Sequence, residues 1–224
     1  MTDAHCHVSC GDASVRELIV GRDFFGLHPW ECLSGVHLPG DVEKTLREHL
    51  SENAWAGVGE IGLDRLKVKT IPPAMREVFE TQLKVAVDMG RPVVLHGAKC
   101  WGQVVDAVRR SLNNASLNGN RVTFLFHGFS RSDGLIPDIV ALNGYVSVGP
   151  AILNDHAVNY RELAKKIPAD RLLVETDRTA ENAAACPSVS DVIAKLAEIR
   201  GIDASALEAQ TDANADKFDI LLQK

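Results

Sequence analysis

Six side chains of metal-ligand type lie near the ends of five expected strands of this chain. They are His5 and His7 in T-D-A-H-C-H, Glu60 in G-V-G-E-I-G-L-D, His96 in P-V-V-L-H, His127 in T-F-L-F-H and Asp177 in L-L-V-E-T-D. One strand ending this way is chance, whereas five form a pattern. The pattern constrains the fold, because parallel α/β sheets gather their C-terminal strand ends on one rim.

Strands are expected at 2–7, 22–27, 55–61, 92–96, 121–126, 144–148 and 171–176. Several are continuous apolar runs, as strands buried on both faces should be. Helical patterns lie between them. Residues 41–50 place Val42, Leu46, His49 and Leu50 on one face, and 73–89 place Met75, Val78, Phe79, Leu83, Ala86 and Val87. The second of these starts at a proline pair and stops at Gly90. Residues 188–200 stop at Gly201, 111–120 read as a polar loop, and 203–224 read as one or two helices. Strand–helix alternation throughout predicts a parallel sheet in one domain spanning 1–224, either a closed barrel or an open sheet.

Composition narrows the class. A hydrophobic fraction of 46% over 224 residues supports a sizeable core. No apolar run reaches membrane-span length and no signal sequence opens the chain, so a soluble, cytoplasmic protein with no membrane partner is expected. Nothing in the surface pattern predicts a protein partner. The five cysteines lack C-x-x-C spacing and are expected to be reduced. A net charge of -6 argues against general nucleic-acid coating, but not against an enzyme with a locally basic cleft.

His5 and His7 are two apart on an expected strand, so both point to one face, with Asp3 beside them. Two converging imidazoles suit a borderline divalent cation, and Asp3 could orient one of them. The glycines around Glu60 allow close approach of the chain to a neighbour. A lone histidine after an apolar run is more often a hydrogen-bonded core residue, but His96 and His127 stand at equivalent places. Asp177 at a buried strand end needs a partner for its charge. Four imidazoles and two carboxylates exceed what one tetrahedral zinc requires and suit a two-metal site. Arg65, Lys67, Lys69, Lys99, Arg131 and Arg178 follow these strand ends, a basic collar that fits an anionic substrate such as a phosphodiester.

With its motifs D-A-H-C-H (3–7), G-L-H-P-W (26–30), G-E-I-G-L-D (59–64), P-V-V-L-H (92–96), H-G-F-S (127–130) and E-T-D (175–177), the chain resembles the TatD-type deoxyribonucleases. These are metal-dependent hydrolases of the amidohydrolase superfamily with a distorted TIM barrel. The resemblance implies His5, His7, Glu60, His96, His127 and Asp177 as ligands of two divalent ions (Zn, Mn or Mg). Glu60 would bridge the ions, and Asp177 would take the proton from the attacking water. It places His28 near the substrate phosphate, with Lys99 and Arg178 as further substrate contacts. The short stretch between His7 and His28 implies about seven parallel strands and one missing β/α unit, as in a shorter bacterial subgroup. Lys99, in H-G-A-K-C-W, stands in for an arginine of longer members, and Arg178-Thr179 replaces the usual proline after E-T-D. The expected activity is hydrolysis of DNA from an end. The alternatives are a two-metal amidohydrolase or lactonase acting on a small molecule, and a non-enzymatic scaffold.

Overall fold

A computed structural model of the chain describes residues 1–115 and 122–219. Eight strands occur among them: β1 (Thr2–Cys6), β2 (Arg16–Ile19), β3 (Phe24–Phe25), β4 (Gly57–Asp64), β5 (Val93–Ala98), β6 (Phe124–Phe126), β7 (Gly144–Val148) and β8 (Leu172–Val174). Seven α-helices accompany them: α1 (Pro39–Glu52), α2 (Pro73–Met89), α3 (Trp101–Asn114), α4 (Ile136–Ala141), α5 (Val158–Lys166), α6 (Val189–Arg200) and α7 (Ala204–Phe218). All strand pairs are parallel, in a six-stranded sheet ordered β3-β4-β5-β6-β7-β8 and a two-stranded sheet β1-β2.

Single contacts join the two sheets, not continuous ladders. At one seam Val20 bridges Phe24, and the Gly21 amide donates to the Phe24 carbonyl at 2.8 Å. At the other, the Asp177 amide donates to the His5 carbonyl at 3.0 Å and the His7 amide to the Arg178 carbonyl at 2.8 Å. Asp3 reinforces this seam by accepting from the Thr176 amide at 3.0 Å and the Thr176 hydroxyl at 2.5 Å. The result is the distorted α/β barrel that the family resemblance implies, where strand–helix alternation alone left a closed barrel or an open sheet.

The shortening between His7 and His28 falls on helix. No α-helix lies between β1 and β3 among the described residues, and a strand, β2, occupies part of the gap. It escapes the apolar-run criterion because it reads Arg-Glu-Leu-Ile and only Leu18 and Ile19 are apolar. Other boundaries move as well. Expected strand 22–27 contracts to Phe24–Phe25, whereas β4 and β5 continue past Glu60 and His96, which therefore lie inside strands. The expected loop 111–120 begins as helix, since α3 runs to Asn114, and residues 116–121 fall outside the described residues. Of the expected tail helices, α7 accounts for 204–218 and residues 220–224 fall outside the described residues.

Two apolar layers hold the barrel. The larger lies between strands and helices, where α2 buries Met75, Val78, Phe79 and Leu83. The smaller joins Ala4, Leu18, Phe24, Val94, Leu125, Tyr145 and Leu173 from seven strands, with Ala215 and Phe218 of α7. Period-2 geometry gives this inner layer a direct consequence. Two residues beyond Val94, Leu125, Tyr145 and Leu173 stand His96, His127, Ser147 and Glu175, so a polar layer lies directly over an apolar floor. Phe218 stacks on Phe24 with ring centroids 5.9 Å apart and is 1% exposed. Phe218→Ala should cost about 3–5 kcal/mol in chemical denaturation, the range for emptying a buried aromatic site. A loss below 1 kcal/mol would mean that α7 does not seal the barrel.

Candidate metal centre

Glu60 is the point on which the rim converges. Its carboxylate is 3% exposed and is surrounded by five imidazoles. Oε1 lies 2.6 Å from His96 Nδ1, 2.7 Å from His127 Nε2 and 3.5 Å from His28 Nε2. Oε2 lies 3.5 Å from His5 Nε2 and 3.4 Å from His7 Nε2. The same two nitrogens each lie 3.6 Å from Asp177 Oδ1. All six predicted ligands therefore meet, with His28 added to them. Close approach of β4 to β5 makes this possible. Gly62 pairs with His96, and a Cβ at Gly62 would stand 2.0 Å from the His96 carbonyl oxygen. The glycines flanking Glu60 thus serve the close approach that their presence predicts.

The donor set fits cations. At this site three groups of converging atoms could each hold one: His5, His7 and Asp177; His5, Glu60 and His127; His28, Glu60 and His96. Both ring nitrogens of buried His5, and Nδ1 of His127, have no hydrogen-bond partner among the described residues. Unpaired buried nitrogens are costly, and a cation beside Glu60 would satisfy His5 Nε2, the one of the three that faces Glu60 and Asp177.

Charge dominates the site. Burial pushes the Glu60 carboxyl upward, but the His127 charge and surrounding imidazole hydrogen bonds hold it well below the usual range. Burial works in the same sense at Asp177, and the His5 and His7 imidazoles, each 3.6 Å from its carboxylate, reverse it. Hydrogen bonds to Asp177 and Glu60 raise His7 to about 9. His127 is raised by the Glu60 charge against the effect of burial.

Tautomers separate His96 from His28. His96 Nε2 lies 2.9 Å from Asp64 Oδ2, and an ionised carboxylate can only accept. The proton therefore belongs on Nε2, and Nδ1, 2.6 Å from Glu60, is the nitrogen that would turn a lone pair to a cation bound there. At His28 the Trp30 amide donates to Nδ1 at 3.2 Å. Its proton therefore belongs on Nε2, so the ring presents a donor to the site. Gln82 of α2 holds the segment before His28 by accepting from the Leu27 amide at 2.7 Å and donating to the Leu27 carbonyl at 3.2 Å.

The collar is less uniform than the ligands. Lys99 is exposed and stands three residues past His96 with φ 58°. Arg131 adopts φ 58° and Asp177 φ 48°. Non-glycine residues in this left-handed region cost about 1–3 kcal/mol each and cluster at functional sites. Arg178 is half-buried, and its Nε has no hydrogen-bond partner among the described residues. Lys99 and Arg178 stand outside the contacts around Glu60. Beside Asp177 opens a cavity of about 640 Å³ whose lining includes Gly128, Ser130, Gly149, Tyr160 and Cys186.

Three residues were not singled out by the strand-end pattern. Asp64 accepts from His96, from the Trp30 indole at 2.8 Å and from the Leu66 amide at 2.5 Å. Its position four residues after Glu60 on one strand, hence on the same face, was the available signal. Glu175 accepts from the Gly128 amide at 2.7 Å and from Ser147 Oγ at 2.5 Å, and lies 3.8 Å from His127 Nδ1. Gln82 reads in sequence only as part of a helix. Asp3 does not orient an imidazole as expected. It accepts from the His5 amide at 3.3 Å and from Thr176, and so orients backbone. All five cysteines are free, as expected.

Residues 16–218 match the sequence model of a family described as TatD related DNase. The chain belongs to this family. The TatD-family match begins after His5 and His7. YcfH of Escherichia coli (strain K12), a metal-dependent hydrolase, is 26% identical over 93% of this chain and 77% of its own length. The 3'-5' ssDNA/RNA exonuclease TatD of Klebsiella pneumoniae is 26% identical over 84% of this chain and 73% of its own length. YabD of Bacillus subtilis, another metal-dependent hydrolase, is 25% identical, and the alignment spans 61% of it. The crystal structure of YJJV, a TatD homologue from Escherichia coli K12, superposes with a TM-score of 0.71 at 24% identity, covering 93% of this chain and 78% of that one. No helix among the described residues is long and apolar enough to cross a membrane.

Two measurements probe the centre. Partners behind a ligating histidine typically carry 10- to 100-fold in metal affinity, so Asp64→Ala should weaken Zn²⁺ or Mn²⁺ binding by about that factor in calorimetry. Unchanged affinity would show that Asp64 does not orient His96. In the metal-free protein the His7 proton persists to about pH 9 and competes with a cation. Metal affinity should therefore rise between pH 6.5 and 8.5 with release of protons, and a flat profile would contradict the ligand role of His7.

Proposed function

We propose that this protein is a metal-dependent hydrolase of phosphodiesters, acting on DNA or a related single-stranded nucleic acid and removing nucleotides from an end. The observation that carries this reading is the Glu60 carboxylate shared between two sets of imidazoles. His5, His7 and Asp177 would hold one divalent ion with Glu60 Oε2, and His96 and His127 a second with Oε1. Bound there, zinc, manganese or magnesium would supply an activated water and polarise a phosphoryl oxygen.

The remaining work falls to side chains. Asp177 is ionised at neutral pH and has half of its side chain open to solvent, so it can accept the proton of the attacking water. His28 offers Nε2–H to a phosphate oxygen. Lys99 and Arg178 carry charges that would hold the phosphate, and left-handed backbone at Lys99 fixes where its side chain leaves the rim. The exonuclease activity of TatD relatives on ssDNA and RNA supports this substrate class.

One observation favours a second reading, hydrolysis of an ester or amide in a small molecule. The cavity of about 640 Å³ beside Asp177 has the size of a small-ligand pocket. A panel of oligonucleotides, lactones and amides separates the two. We expect cleavage of end-labelled oligonucleotides with Mn²⁺ or Zn²⁺, abolished by chelator, and a fall of about 10²- to 10⁴-fold in kcat for Asp177→Asn. Cleavage that survives chelation, or a preference for neutral small substrates, would overturn the phosphodiester reading.

A further inference from the structure

We propose that Trp30 is a stacking platform for a nucleobase next to the scissile phosphate; the inference rests on the phosphodiester reading above. Trp30 is the only aromatic residue among the large exposed hydrophobics of the described residues, with 43% of its surface open. It stands one ring contact from the Glu60 cluster. Its ring lies 4.9 Å from His28, and His28 lies 4.7 Å from His96.

The ring is held, which separates it from an incidental surface tryptophan. Its indole N–H donates at 2.8 Å to Asp64 Oδ2, a carboxylate that is 1% exposed and also accepts from His96. The backbone is fixed too, since the Trp30 amide donates to His28 Nδ1. An aromatic face fixed in this way beside the phosphate-binding groups loses little freedom when a base stacks on it.

One face is guarded by a cation. The ammonium of Lys67 sits 3.4 Å from the ring centroid, and Lys67 itself is exposed. A cation–π contact at an exposed site is weaker than a stacked base. A base can therefore displace the lysine, and the released ammonium can pair with the phosphate attached to that base. Trp30 and Lys67 thus form one subsite for a nucleotide: a π-face for the base and a charge for its phosphate. Stacking of this kind is tolerant of base identity, so the subsite would select for the presence of a base and not for its sequence.

The test compares oligothymidylate with the same oligomer carrying an abasic residue at the cleaved end, in the metal-loaded protein. The quantity read is the ratio of kcat/KM for the two substrates. The wild-type ratio should favour the base-bearing oligomer roughly tenfold or more, the size of one stacking contact. Trp30→Phe keeps an aromatic face without the N–H to Asp64 and should retain most of the ratio, whereas Trp30→Ala should bring it near one. An unchanged ratio in Trp30→Ala overturns the proposal, and so does Trp30→Phe behaving like Trp30→Ala, because Trp30 would then act only by holding Asp64. If neither oligomer is cleaved, the phosphodiester reading itself fails. The platform is then judged by tryptophan emission in chelator: quenching by oligothymidylate that is lost in Trp30→Phe supports it, and no quenching overturns it. A dimer that buries Trp30 in sedimentation would also overturn it.

Discussion

An ionised carboxylate at the centre of a protein is tolerated only among positive charge or donors, and Glu60 is such a carboxylate. Its two oxygens divide five imidazoles between them, so β1, β5 and β6 are tied to one residue of β4, and Asp177 after β8 joins through His5 and His7. The packing below and the hydrogen bonds behind serve this arrangement. The apolar floor of Val94, Leu125 and Leu173 excludes water beneath the site, and Asp64 and Glu175 stand behind His96 and His127. Low local polarity strengthens these interactions and makes any unpaired member costly.

The geometry at the rim is set by backbone as much as by side chains. Gly62 lets β4 lie against His96, and Asp177 sits in a left-handed conformation that a β-strand would not give it. That turn lets the Asp177 amide reach the His5 carbonyl while its carboxylate reaches the His5 and His7 rings. The β1–β8 seam and the ligand site are thus one structure. A barrel short of helix on the β1–β3 side can still assemble its site because the seam is fastened at the ligands themselves.

Legibility in the sequence tracked the physics of each element. Helix α2 was readable to its ends, because the proline pair and Gly90 are punctuation that acts locally. The long apolar strands were readable for the same kind of reason. Strand β2 was not, because its pairing with β1 comes from the partner strand and not from an apolar run of its own. The convergence of the six candidate ligands was legible because strand ends of a parallel fold must share a rim. Asp64, Glu175 and Gln82 were not, since their roles depend on which side chain or loop each meets. Asp3 shows the limit from the other side: it sits on the ligand face of β1, yet its carboxylate serves backbone and Thr176.

The sequence by itself determined the strand–helix alternation, the parallel fold and the residue types that converge on the rim, because each follows from local periodicity and one topological rule. Only the tertiary structure decided which ring nitrogen faces which carboxylate, that His28 turns a donor to the site while His96 spans Glu60 and Asp64, and that Trp30 is pinned to Asp64. Those outcomes depend on distances of a few ångströms between strands far apart in sequence. No local pattern encodes such distances; packing of the whole barrel sets them.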